Sequence, residues 1–276
     1  MKNTKPNKVV IVGIAIGLIS SGNVLAADEV QSDVATNRSH SWEIGAELSS
    51  IKYEEPGLME ESGVMIGVGG SYTFKNNKKM FKTEGVFKYG QVDYEGSLQD
   101  GTPHTFDNID DYIFEVRGLG GYDFSILTAT TLTPYIGLGY RFLSDGSGAD
   151  LLHGYDRESN YFYSPIGIET LTKLENGWSI GVTVEYDIFW SGKQTSYFSD
   201  ILPGLNDVEN DQSDGYGFRS SIKIQKSSFI IEPYVRYWNI ENSDYSMVTY
   251  YGTPVTIGNE PENNSTEIGL KLAWRF

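Results

Sequence analysis

The chain has no cysteine. Disulfides, a thiol nucleophile, a zinc–thiolate site and a cysteine-linked lipid anchor are therefore excluded. Histidine is scarce: His40, His104 and His153 are the three present. Positive charge is scarce too. Lys and Arg number 21 against 37 Asp and Glu, a formal charge of -16, which argues against a nucleic-acid partner. Long apolar runs are missing after Ala26. The one run before it, Val9 to Ile19, is short of the roughly 18 to 20 residues of a spanning helix. It follows Lys2, Lys5 and Lys8 and precedes Val24-Leu25-Ala26. That order predicts a secretory signal peptide over residues 1–26, cleaved after Ala26. Its removal would leave about 250 residues and a charge of -19. The next stretch, ADEVQSDVATNRS (27–39), shows no period and reads as a flexible periplasmic lead-in.

Gly (31) and Tyr (19) are plentiful, a composition that fits an all-β barrel better than a helical bundle. The patterning agrees. Ten segments of nine or more residues alternate with period two. In the clearest, Trp178, Ile180, Val182, Val184, Tyr186 and Ile188 face away from Ser179, Gly181, Thr183, Glu185 and Asp187. Another ends the chain, with Ile268, Leu270, Leu272, Trp274 and Phe276 against Glu267, Gly269, Lys271, Ala273 and Arg275. The apolar face carries no charge in any of them.

A soluble barrel with an apolar interior also alternates. The connections separate the two cases. KNNKK, SILTAT, LENG and KSS are short. They alternate with KYEEPGLMEES, GSLQDGTPHTFDN, SDGSGADLLHGYDRES and the longer runs Lys193 to Asp214 and Glu241 to Asn263. Short turns at one end and long loops at the other describe a transmembrane barrel. Only a closed sheet pairs all its backbone groups in lipid. The sequence predicts a closed antiparallel transmembrane β-barrel of about ten strands over residues 40–276. Its short turns would be periplasmic and its long loops extracellular.

The last strand, with Trp274 and Phe276 on its apolar face, resembles the C-terminal signature of bacterial outer-membrane β-barrel proteins. The resemblance covers about His40 to Phe276. It implies a Gram-negative outer-membrane location, contact with lipid and lipopolysaccharide, and recognition of Trp274 and Phe276 by the barrel-assembly machinery.

The opposite face then lines the lumen. Its expected charge network is Glu43, Glu47, Lys82, Glu84, Lys88, Glu115, Arg117, Arg141, Glu169, Lys173, Glu185, Asp187, Arg219, Lys223, Glu232, Arg236, Glu267, Lys271 and Arg275. Nine acids against ten bases predict a cross-linked, filled barrel. A selective pore more often shows rings of one sign. The excess negative charge falls in the loops, including Glu54, Glu55, Glu60, Glu61, Asp100, Asp110, Asp111, Asp145, Asp150, Asp207, Glu209, Asp211, Asp214, Glu241, Asp244, Glu260 and Glu262. Beside lipopolysaccharide, such tips suit divalent cations or basic partners. DVENDQSDG has Gln212 where a calcium loop needs glycine and Phe218 at its twelfth position. Tyr245, Tyr250 and Tyr251 suit either an adhesive surface or an interfacial belt.

Enzyme signatures are weak. No GxGxxG dinucleotide motif and no HExxH occur, so no cofactor is expected. Strand number and layout resemble the omptin surface proteases, which work with paired Asp residues and an Asp-His pair at the outer rim. Asp110 and Asp111 lie near that rim, but the fourth long loop holds no His. His104 with Asp107, or His153 with Asp156, would be the substitute dyads. A Ser-His pair of the kind used by outer-membrane lipid A acyl enzymes is not evident. The sequence thus favours a non-enzymatic surface protein, structural or adhesin-like, with acidic loops and a surface or host ligand. A narrow porin-like channel is the alternative and an omptin-like hydrolase the further one.

Overall fold

The computed structural model describes residues 38–97, 101–147 and 154–276. The signal peptide, the lead-in up to residue 37, Asp100, Asp150 and His153 lie outside them. Fourteen strands follow one another in the described residues. They are β1 (Arg38–Glu55), β2 (Met59–Asn76), β3 (Lys79–Ser97), β4 (Pro103–Tyr122), β5 (Phe124–Leu127), β6 (Thr130–Asp145) and β7 (Arg157–Lys173). Then come β8 (Trp178–Ser196), β9 (Val208–Gln212), β10 (Gly215–Lys226), β11 (Phe229–Ile240), β12 (Ser246–Tyr250), β13 (Thr253–Gly258) and β14 (Asn263–Arg275).

Ten of these close a ring of antiparallel pairs: β1, β2, β3, β4, β6, β7, β8, β10, β11 and β14. Closure is made by β1 on β14, where Ile44 faces Trp274 and Leu48 faces Leu270. No edge of the ring is left unpaired, as a hydrocarbon environment requires. The backbone of Trp42 and Phe276 exchanges two hydrogen bonds, N–H to O at 3.1 Å and 2.8 Å, locking the last residue to the first strand.

The alternation sorts as its chemistry demands. Ile44, Leu48, Val64, Ile66, Ile136, Leu138, Ile180, Ile268 and Leu272 are exposed on the outside. Two bands of outward aromatic rings bracket them. Toward the short turns, Trp42 packs on Tyr72, Tyr122 on Phe124 and Phe229 on Trp274. Toward the long connections, Tyr89 packs on Tyr112, Tyr140 on Phe162 and Tyr216 on Tyr237. Amphipathic rings settle at the two membrane interfaces, and these pairs mark them.

The strands outrun the membrane. An 18-residue strand tilted by about 40° rises about 45 Å, against an apolar band of about 25 Å. The excess stands beyond the upper ring band, where the outward residues turn charged: Lys52 bridges Glu54 at 2.6 Å and Glu60 at 2.9 Å. Much of what reads as loop in the sequence is therefore strand. KYEEPGLMEES becomes a hairpin whose only unpaired residues are Pro56, Gly57 and Leu58, with Gly57 at φ 79°. The fourth connection holds β9 paired to the top of β8, and the fifth holds the separate hairpin β12–β13.

Candidate functional site

The inward face builds three charge networks. Lys88, fully buried, reaches Glu47 at 3.0 Å, Glu267, and the Tyr234 hydroxyl at 2.8 Å. Arg236 sits beside the same two acids at 3.3 and 3.5 Å. Arg219 donates to Asp187 at 2.7 Å and to Glu115 at 2.9 Å. Arg117 joins Glu84 at 3.0 Å and also Glu185, which Arg219 shares at 3.2 Å. Lys82 bridges Glu84 at 2.6 Å and Glu169 at 3.6 Å. Lys223 meets Glu43 at 3.0 Å and Glu232 at 4.0 Å. Charges so far from bulk water persist only when paired in this way.

Four expected members stand apart. Arg141 is buried against the rings of Tyr161 and Trp238, at 5.8 and 5.9 Å from their centroids. Arg275 donates to Ser41 Oγ at 3.2 Å and Gln225 Oε1 at 3.4 Å. Lys271 lines the lower lumen with Glu43 and Glu47. Lys173 is exposed at the short-turn end of β7 and has no ion pair among the described residues.

Three tyrosines complete the networks, each lying opposite a glycine on the next strand. Tyr163 pairs with Gly139, Tyr135 with Gly167 and Tyr234 with Gly269. In each case a side chain on the glycine would strike the ring. Each hydroxyl then donates to a carboxylate: Tyr163 to Glu115, Tyr135 to Glu185 at 2.7 Å and Tyr234 to Glu267 at 2.9 Å.

Above the charges the lumen turns apolar. Tyr161, Tyr163, Phe189, Trp238 and Ile240 form one buried cluster. Ile51, Met65, Val92, Ile109, Ile113 and Leu143 form a second, with Tyr94 and Phe106 against it. Below the clusters lies a cavity of about 110 Å³, lined by Glu43, Lys82, Glu169, Lys223, Glu232 and Lys271 among others. Beyond them, at the outer mouth, is one of about 20 Å³.

That outer chamber was not expected. Arg157 donates to Glu55 and Glu61 at 2.9 Å each and to Asp145 at 2.8 Å. Tyr53 donates to Glu260 at 3.1 Å, and Asp111 lines the same cavity. These acids read as loop residues in the sequence, yet all are buried. The chamber lies past the upper ring band, and burial raises the pKa of Glu61 and Glu260. Burial pushes Glu61 up to about 8, with Asp145 and Glu55 adding to the rise and Arg157 opposing it. Burial and Glu55 push Glu260 up to about 7. The missed signal is phase: Glu55 continues the inward series Glu43, Glu47, Ile51, and Asp145 continues Arg141 and Leu143.

Among the described residues, the acids considered for hydrolysis do not converge. Asp110 faces outward, accepting from Tyr89 at 2.7 Å and Gln91 at 3.0 Å, whereas Asp111 faces inward. His104 is half-buried against the Phe106 ring, with centroids 3.9 Å apart. The acidic stretch from Asp207 is strand β9, with Glu209 and Asp211 exposed and Val208, Asn210 and Gln212 buried between them. Among the described residues no group of three or more His or acidic side chains is arranged to hold a metal.

Tyr245, Tyr250 and Tyr251 lie at the outer tip, on or beside the β12–β13 hairpin, and belong to neither ring band. Asn206 from the fourth connection clamps that hairpin. Its Nδ2 donates to the Met247 carbonyl at 3.2 Å, and its Oδ1 accepts from the Thr249 N–H at 2.6 Å.

The family model of the autotransporter β-domain matches residues 42–215. Among curated proteins none matches this sequence. The outer membrane protease OmpT from Escherichia coli has a similar structure, with TM-score 0.62 and 11% identity over 89% of this chain and 99% of that one. At that identity the likeness concerns the fold alone. Neisserial surface protein A gives a TM-score of 0.33 at 11% identity, over 85% of this chain and 97% of that one. The Pseudomonas putida toluene transporter TodX gives 0.33 at 10%, over 86% and 89%. Both likenesses are too loose to carry an argument. The ten-stranded ring, its two ring bands and the family match place the protein in the bacterial outer membrane, and the chain belongs to the autotransporter β-domain family.

Proposed function

We propose that this barrel is a non-enzymatic surface protein, an anchor that presents an acidic, tyrosine-bearing platform outside the cell. The observation that carries this reading is the stopper across the lumen. Tyr161, Tyr163 and Trp238 are each no more than 2% exposed and fill the section between the charge networks and the outer chamber. A small solute would have to displace them together with Arg219, which is bonded to Glu115 and Asp187. The opposed orientations of Asp110 and Asp111 weigh against the hydrolase reading, because water activation needs two groups converging on one oxygen. Lipopolysaccharide around the wall and the barrel-assembly machinery at Trp274 and Phe276 are the partners proposed with this role. Single-channel recording of the refolded full chain in a planar bilayer tests it. A silent membrane is expected, and discrete, reproducible current steps would overturn it in favour of the channel.

A further inference from the structure

The β12–β13 hairpin is unusual for an edge exposed to water. β13 pairs with β12 on one side, and among the described residues nothing pairs with its other side. Every residue from Thr253 to Ile257 is exposed, Val255 at 61% and Ile257 at 60%. Free edges are normally blunted by charge, proline or a bulge. Pro254 and the bulge at Val248/Thr249 blunt the turn end. From Val255 to Gly258 no such guard remains, and the whole of 246–258 contains no charged residue.

The hairpin is also held in place. The Asn206 clamp fixes β12, the Ser246 hydroxyl donates to the Glu209 carbonyl at 2.6 Å, and Asn210 Nδ2 donates to the Asp244 carbonyl at 2.9 Å. An edge held this firmly loses little freedom when a partner strand is added.

Its surroundings select the partner. Residues 194–218 and 237–270 contain no Lys or Arg. Exposed acids from these stretches, among them Asp200, Asp211, Glu241 and Asp244, share the tip with the hairpin, whereas Glu209 is paired with Lys193 at 2.6 Å. A second copy of the chain would bring the same sign of charge, and so would lipopolysaccharide. A cationic polypeptide would be drawn in.

We infer that the free edge of β13 is a docking strand for an extended, cationic segment of another protein, a conclusion that rests on the surface-protein reading above. The segment would add to the sheet through its backbone, place apolar side chains on Val255 and Ile257, and direct Lys or Arg toward the acids.

The test uses the refolded full chain in detergent and a fluorescent peptide of alternating Val and Lys. Two control peptides accompany it: one with Glu in place of Lys, and one with the Val-Lys sequence N-methylated at alternate backbone nitrogens. Saturable binding of the Val-Lys peptide is expected, with slowed amide exchange confined to residues 253–258. The Val255→Thr/Ile257→Thr variant, its folding checked by heat-shifted gel migration, should bind about tenfold more weakly. Equal binding of the N-methylated peptide, protection elsewhere on the barrel, or no binding of the Val-Lys peptide would each overturn the inference. These outcomes are independent of bilayer conductance, so a silent barrel that ignores the peptide refutes the docking strand alone.

Discussion

Lys88 shows what a single residue does inside a lipid-embedded barrel. Its ammonium is fully enclosed and serves Glu47, Glu267 and the Tyr234 hydroxyl at once. Removing the cation strands acids that are equally enclosed, and breaking a buried pair from one side costs about 3 kcal/mol. Lys88→Met should therefore lower the urea midpoint of the folded barrel, and adding Glu267→Gln should recover part of the loss. A double variant no more stable than the single one would show that Arg236 already neutralises both acids. Glu61 makes the opposite kind of case. Its carboxyl is held up near 8 by burial, whereas an ordinary glutamate titrates at 4.5. Between those values the folded state keeps a proton that the unfolded chain has released. This contribution to stability is complete below pH 4.5 and is lost as pH rises through 8. Unfolding in urea from pH 5 to pH 9 should show the loss, and Glu61→Gln, which stays neutral, should flatten it. An unchanged slope in the variant would assign the dependence to Glu260 or Asp111.

At the scale of strands, the Gly–Tyr pairs join the wall to the lumen. Gly139 on β6 leaves room for the Tyr163 ring from β7, and that ring carries its hydroxyl to Glu115 on β4. A side chain at residue 139 has to displace the ring, so Gly139→Val should destabilise by about 2 kcal/mol through overpacking. It should also slow refolding, measured as the appearance of the heat-resistant band on a gel; unchanged stability would mean that Tyr163 swings aside freely. The same elements show what was legible in the sequence and what was not. The outward set Trp178 to Ile188 and the terminal set Ile268 to Phe276 were legible, because lipid accepts no charge and the alternation is then unbroken. Glu43, Glu84, Glu115 and Glu267 were legible as inward for the same reason, although their partners were not, since strand tilt brings together residues far apart in the chain. The stopper was hidden. Tyr161, Tyr163 and Trp238 are aromatic residues on the inward phase, where a two-letter pattern expects polarity. The outer chamber was hidden because the strands do not stop at the membrane, so Glu55, Glu61 and Asp145 read as loop acids.

At the largest scale the barrel is a graded column: a charged, partly hollow lower lumen, an aromatic stopper, and an acidic chamber beneath an acidic tip. The proposed function requires the stopper to keep the two aqueous sides apart, and its removal is the sharpest test of that division. Trp238 contributes the largest ring and touches both Tyr161 and Tyr163, with centroids 5.9 and 4.9 Å apart. Truncating it with its neighbour, in Tyr161→Ala/Trp238→Ala, removes packing but no charge partner of Glu115 or Asp187. The lower networks should therefore hold the barrel closed as a cylinder while the middle opens to water. Current steps absent from the parent protein are expected in a planar bilayer. Ions crossing the variant must pass Arg157 in the company of Glu55, Glu61, Asp145 and Glu260, so passage should favour cations. That preference should strengthen from pH 6 to pH 9, because Glu61 and Glu260 give up their protons across this interval. A variant that folds but stays silent would place the seal elsewhere, in the Ile51–Met65–Ile113 cluster. One that conducts anions would mean that Arg157, Arg141 and Arg219 outweigh the chamber's carboxylates.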